Sequence, residues 1–128
     1  MTSAINLGEL KKAQELVDFV EARPLSEVPR GMRGQAARFR ALLASSSGET
    51  RDVELGFTRA EAIFEDIGTI FDLAVVRLEH AEWLAGQGEE RRARELLDQA
   101  RATFERLRAT PWLERVGKLR LTDAPAAV

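Results

Sequence analysis

The dipeptide Gly-Glu occurs at Gly8-Glu9, Gly48-Glu49 and Gly88-Glu89, 40 residues apart each time. A fixed period of this length marks a repeat architecture, in which one supersecondary unit is copied and each copy covers its neighbour's apolar face. A basic residue follows each pair two positions later: Lys11, Arg51 and Arg91. The register continues without a gap. Ala13-Gln14-Glu15-Leu16-Val17-Asp18 lies over Ala93-Arg94-Glu95-Leu96-Leu97-Asp98, and Ala60, Ala62, Phe64 and Glu65 lie over Ala100, Ala102, Phe104 and Glu105. Upstream of the glycines, Ala41 lies over Ala81.

After each glycine the apolar residues recur at helical spacing. The middle copy reads Val53, Phe57, Ala60, Phe64, Ile67, and the last reads Ala93, Leu97, Ala100, Phe104, Leu107. Steps of three and four place each set on one face of a helix. Glu90/Arg94, Arg91/Glu95 and Arg101/Glu105 stand at i,i+4 on the charged side, a solvated face whose pairs contribute about 0.2–0.5 kcal/mol each. Pro24 and Pro29 mark a linker, and Ser45-Ser46-Ser47-Gly48 a break before the second copy. Gly68 suits a helix C-terminus and Thr69 an N-cap. Gly86-Gln87-Gly88 is a further turn, and Thr110-Pro111 reads as a cap followed by proline at the first helical position. Helices are therefore expected near 7–22, 31–45, 50–67, 70–85, 89–108 and 111–119. No strand pattern is present.

The chain of 128 residues is long enough to bury a real core. A net charge of −2 argues against nucleic-acid binding, which needs a concentrated basic face. The absence of cysteine removes disulfides, thiol chemistry and cysteine-based zinc sites. Met1–Leu10 lacks the basic start and apolar run of a signal peptide. No apolar run approaches the roughly 20 residues needed to span a bilayer. The expected location is cytoplasmic, with neither membrane nor nucleic acid as partner.

Candidate chemistry is sparse. His80 is the sole histidine, and neither Glu79 nor Glu82 stands at i+4 from it, so a metal site lacks its other ligands and a packing role is expected. Ser45–Ser47 have no evident base for nucleophilic chemistry. No carboxylate pair is set apart to divide acid and base roles. Arg91, Arg92 and Arg94, with Lys11 and Lys12, could meet an anion, but each arginine has an acidic neighbour. Trp83 and Trp112 are candidate contact aromatics, with Trp112 read instead as a lid on the last helix pair. The expectation is a protein without catalytic, cofactor-binding or metal-binding residues.

The pattern resembles the tetratricopeptide repeat, in which helix A and helix B cross at small residues around a Gly-acidic turn. Ala81, Leu84, Gly88-Glu89, Ala93, Leu97 and Ala100 fall on it. Ala41, Ala44, Gly48-Glu49, Val53, Phe57 and Ala60 follow it less closely, and Gly8-Glu9, Ala13, Val17 and Val20 supply only the B half. The period of 40 exceeds the usual one, Ala37 and Arg77 stand where an aromatic is expected early in helix A, and the proline arrives late, at Pro111. A narrower likeness runs through Phe64–Gly68, Leu78–Leu84, Ala102–Leu107 and Ala109–Arg115, which look like the C-terminal repeats of large bacterial signalling ATPases and their adenylate cyclase or transcriptional-regulator relatives. No phosphate-loop motif accompanies it. The resemblance implies an all-α fold: a right-handed α–α superhelix over residues 1–120, with about five long antiparallel helices plus a short C-terminal one. The small, Pro/Ala-rich stretch 121–128 is expected to be a disordered tail.

Such a stack presents an inner surface lined by A helices. By the register, its protein-binding positions are Gln35, Arg38, Leu42 and Ser45 from one pair, and Val75, Leu78, Glu82 and Ala85 from the next. The mixture suits a peptide or helix. The expected function is a noncatalytic interaction or scaffold module, the C-terminal part of a bacterial regulatory ATPase; the alternative is a sensor taking a small molecule between the A helices. The helix near 7–22 is a B helix without an A partner before it. Leu10 and Phe19 leave that end poorly capped, so a two-fold homodimer through it is expected.

Overall fold

The computed structural model describes residues 7–119. Among them the fold is all-α, with six helices and no strand: α1 (Leu7–Glu21), α2 (Arg30–Ser47), α3 (Thr50–Ile67), α4 (Ile70–Gly86), α5 (Glu90–Leu107) and α6 (Thr110–Lys118). A 3-10 turn, Leu25–Glu27, lies between α1 and α2. The expected tail at 121–128 lies outside the described residues.

Helix starts at Arg30, Thr50, Ile70, Glu90 and Thr110 fall every 20 residues, so one 40-residue repeat is one helical hairpin. Burial follows the same register. Ala13, Val17 and Val20 of α1, Val53, Phe57 and Ala60 of α3, and Ala93, Leu97 and Ala100 of α5 occupy equivalent positions, and all are buried. So do Ala36, Ala41 and Ala44 of α2 and Val76, Ala81 and Leu84 of α4. The apolar line ends at Phe64 and Phe104; Ile67 is half-buried and Leu107 is exposed.

The recurring Gly-Glu pair has a structural cause. Gly48 and Gly88 take φ of 80° and 83°, a left-handed conformation that costs a β-carbon-bearing residue. The Glu49 amide then donates to the Ala44 carbonyl at 3.0 Å, and the Glu89 amide to the Leu84 carbonyl at 2.9 Å. These bonds satisfy carbonyls left open at the ends of α2 and α4, as in a Schellman cap. The same glutamates open the next helices through their own carbonyls, which accept from Val53 and Ala93. Gly-Glu is thus the shortest junction that closes one helix and starts the next. Gly8 departs from this: it lies within α1.

Other punctuation shifts slightly. Ser45–Ser47 are helical rather than a turn: the Ser46 and Ser47 hydroxyls fold back onto the Leu42 and Leu43 carbonyls within the helix, and the break waits for Gly48, which takes the left-handed conformation. Ala109, not Thr110, precedes the first residue of α6, which places Pro111 second in that helix. Gly68 caps α3 with φ 78°. Arg108 holds the corresponding place after α5 with φ 55°.

The chain forms two compact units, Met1–Gly68 and Thr69–Val128. In the first, α1 and α3 both pack on α2. Pro24 cuts α1 short of the length of α3, since the residue before a proline disfavours the helical conformation. Val28 then turns in against Val20 and Ala36. Arg33 fastens this linker, donating to the Val28 and Leu25 carbonyls at 3.1 and 2.7 Å. The α2–α3 crossing is close: a β-carbon on Gly56 would lie 2.8 Å from that of Ala41, and one on Gly34 would meet the Phe64 ring at 2.7 Å. Arg30 and Asp66 form an ion pair at the far end of the two helices.

In the second unit α5 packs on α4 and α6 on α5. Phe104, Leu97, Leu78, Leu84 and Val116 lie in its core. Burying an aliphatic or aromatic side chain of this size contributes about 1.5–3 kcal/mol. Trp112 stacks on Phe104 at 5.6 Å and meets Phe71 edge-on at 5.7 Å, so it covers the end of this core.

Candidate binding groove

The first unit carries an open groove of about 520 Å³. Its floor is the face of α2 bearing Ala37, Arg40, Leu43, Ala44 and Ser47. One wall is α1, with Gln14, Val17 and Glu21; the other is α3, with Asp52, Leu55, Gly56 and Arg59. The walls stand apart because each packs against α2 along its own flank. Chain direction fixes the order along the groove. The close Gly34–Phe64 and Gly56–Ala41 approaches show α3 running back along α2. The Glu21–Arg40 ion pair at 2.8 Å sets the position of α1.

The groove exists because its apolar lining is small. Ala37, Leu43 and Ala44 of the floor correspond, forty residues on, to Arg77, Trp83 and Leu84 of α4. Each of these three positions carries a larger side chain in the second unit. Trp83 packs there against a core, where Leu43 lines the groove.

Charge is distributed unevenly. Glu49 and Asp52, both exposed, stand with Ser47 where α2 ends and α3 begins. Arg40 and Arg59 stand toward the other end, with Glu21 bound to Arg40. Between them lie Val17, Leu43 and Leu55, the last 47% exposed.

The positions predicted for binding lie elsewhere. Gln35, Arg38 and Leu42 fall on the opposite face of α2 from the groove, as follows from 3.6 residues per turn. All three are half-buried, with Arg38 donating to the Gln35 carboxamide at 3.1 Å. Val75 and Leu78 belong to the core of the second unit, and Leu78 is fully buried, so neither presents a surface to a partner. The cause is α4 itself, which is buried on several faces rather than one stripe. Glu82 is taken up internally: Arg115 of α6 donates two hydrogen bonds to its carboxylate, at 2.8 and 2.6 Å. Buried Glu79 lies 3.9 Å from the same guanidinium. The Glu82 bond, with the charges of Glu82 and Glu79, holds the Arg115 pKa above its ordinary value against the opposing effect of burial. Ser45 is exposed and Ala85 half-buried.

His80 is buried, with its ring 6.3 Å from that of Trp83. Among the described residues no group of three or more acidic, histidine or cysteine side chains could hold a metal ion. Arg91 and Arg92 are exposed on α5, and Lys11 and Lys12 on α1 in the other unit. No described helix is long and apolar enough to cross a membrane. The groove was missed in the sequence because helical periodicity assigns faces, whereas a recess depends on side-chain volume. The row of small residues against their larger counterparts was the available signal.

No family model, curated protein or solved structure matches the chain.

Proposed function

We propose that the chain is a noncatalytic protein-interaction module, the C-terminal helical-repeat part of a bacterial regulatory ATPase. The observation that carries the interaction reading is the groove: three helices leave an open recess with an apolar middle and charged ends. Peptide-binding helical scaffolds work by offering such a surface to an amphipathic segment. The origin in a signalling ATPase draws its support from the sequence likeness alone. Panning a random peptide library on the intact chain tests the reading. Enrichment of sequences that bind saturably, one per chain, is the expected result; no enrichment over an unrelated helical protein would count against it.

The proposal extends to self-association through α1. Phe19 is 44% exposed there, with the Arg23 guanidinium 3.5 Å from its ring centroid. Phe19 lies on the side of α1 away from the groove, so a dimer formed there leaves the groove open.

A further inference from the structure

We infer that the groove of the first unit receives one helical segment of a partner protein, lying antiparallel to α1 and α3, with acidic residues at its N-terminal end and basic residues at its C-terminal end. This rests on the interaction reading above and names its surface and its occupant.

Three observations lead there. Size comes first. From Ala37 to Ser47 the floor runs about 15 Å at 1.5 Å per residue, the length of a helix of roughly ten residues. The recess is bounded by two helices over a third, the shape that a further helix fills. Side-chain volume comes second. The second unit carries Arg77, Trp83 and Leu84 where the groove floor has Ala37, Leu43 and Ala44. Of the apolar lining, Val17, Ala37 and Ala44 are already buried, and Leu43 and Leu55 are left for bulky apolar side chains from outside to cover. A helix presenting leucine or an aromatic at i, i+3 or i+4, and i+7 supplies them.

Charge comes third and sets direction. Glu49 and Asp52 mark one end; at the other Arg40 is paired with Glu21, and Arg59 leaves that end with the opposite net charge. A partner helix with basic residues near Glu49 and acidic residues near Arg59 matches both. Such a helix also has its charges where its own dipole favours them, acidic at the start and basic at the end. That orientation runs parallel to α2 and opposite to both walls.

The test uses the intact chain and two synthetic peptides of about 14 residues, long enough to cover the floor. One carries glutamates at its N-terminal end, leucine and phenylalanine on one face, and lysines at its C-terminal end. The other has the charged ends exchanged. Amide shifts are followed by NMR and affinities by calorimetry. The first peptide is expected to bind at least tenfold more tightly than the second, with shifts centred on Val17, Ala44 and Gly56. Leu43→Trp, which installs the second copy's residue on the floor, should weaken binding at least tenfold without lowering the melting temperature. The double variant Asp52→Lys with Arg59→Glu should reverse the preference between the peptides. Equal affinity for both peptides, or unchanged binding in Leu43→Trp, would overturn the assignment. Shifts centred on Gln35, Arg38 and Leu42 would overturn the groove while leaving the interaction reading intact. Failure of these peptides and of every library-selected peptide to bind would remove both.

Discussion

Gly56→Ala and Gly31→Ala are the same chemical change in the same unit, yet the structure requires opposite signs. A methyl group at Gly56 would lie 2.8 Å from the Ala41 β-carbon and 2.9 Å from both the Ala37 carbonyl oxygen and the Ala41 amide nitrogen. Two of these atoms are α2 backbone and cannot rotate away, so the helices must separate. Overpacking of this kind costs about 1–3 kcal/mol. Alanine's better helix propensity returns up to about 1 kcal/mol. Because the obstruction is backbone, the cost falls in the upper part of its range, and the net loss is about 1–2 kcal/mol. At Gly31 a β-carbon meets nothing within 4 Å, so only the propensity gain remains. In a unit of this size 1 kcal/mol moves the midpoint by about 4–8 °C. Thermal unfolding followed by circular dichroism should therefore show Gly56→Ala melting well below the wild-type protein and Gly31→Ala at or above it. Equal shifts in one direction, or a Gly56→Ala protein as stable as wild type, would refute the close α2–α3 crossing.

Ala60→Leu and Ala100→Leu overpack two fully buried, register-equivalent positions, and each should lose about 1–3 kcal/mol in urea titrations. Arg108→Gly should gain about 0.5–1 kcal/mol by the same measurement, since φ 55° there favours glycine, as at Gly68. Arg115→Ala should cost about 1–3 kcal/mol, because Glu82 loses two charge-assisted bonds and buried Glu79 a nearby cation. The Arg115 pKa is raised on folding, so its contribution is fully present below its unfolded value and is lost only as pH rises through the higher folded value; the Arg115→Ala deficit should persist through neutral pH and shrink only in strong alkali. Light scattering at micromolar concentration should find a dimer that Phe19→Glu converts to monomer; a wild-type monomer would dismiss the α1 interface.

Helix positions were legible in the sequence because two signals agreed. The step of three and four residues in Val53, Phe57, Ala60 and Phe64 is set by one buried face, and the Gly48-Glu49 and Gly88-Glu89 pairs are set by a left-handed junction that few residues tolerate. Where only one signal was available the reading drifted. Ser45–Ser47 look like a loop by composition, but the helix continues until Gly48 takes the left-handed conformation, with the Ser46 and Ser47 hydroxyls folded back onto it. The proposed binding positions were less legible. A register assigns Val75, Leu78 and Glu82 to one face of α4, but it cannot say that this helix is buried on several faces, or that Arg115, 33 residues beyond Glu82, occupies that carboxylate. The groove reflects three floor volumes compared across 40 residues, a property of packing rather than of hydrophobic pattern.

The interaction reading is tested most directly by titrating the intact chain calorimetrically, at several temperatures, with a peptide recovered by panning. One peptide per chain and a negative heat-capacity change are predicted, the latter because apolar surface is removed from water as the groove is filled. Heats equal to dilution for every recovered peptide would contradict the reading.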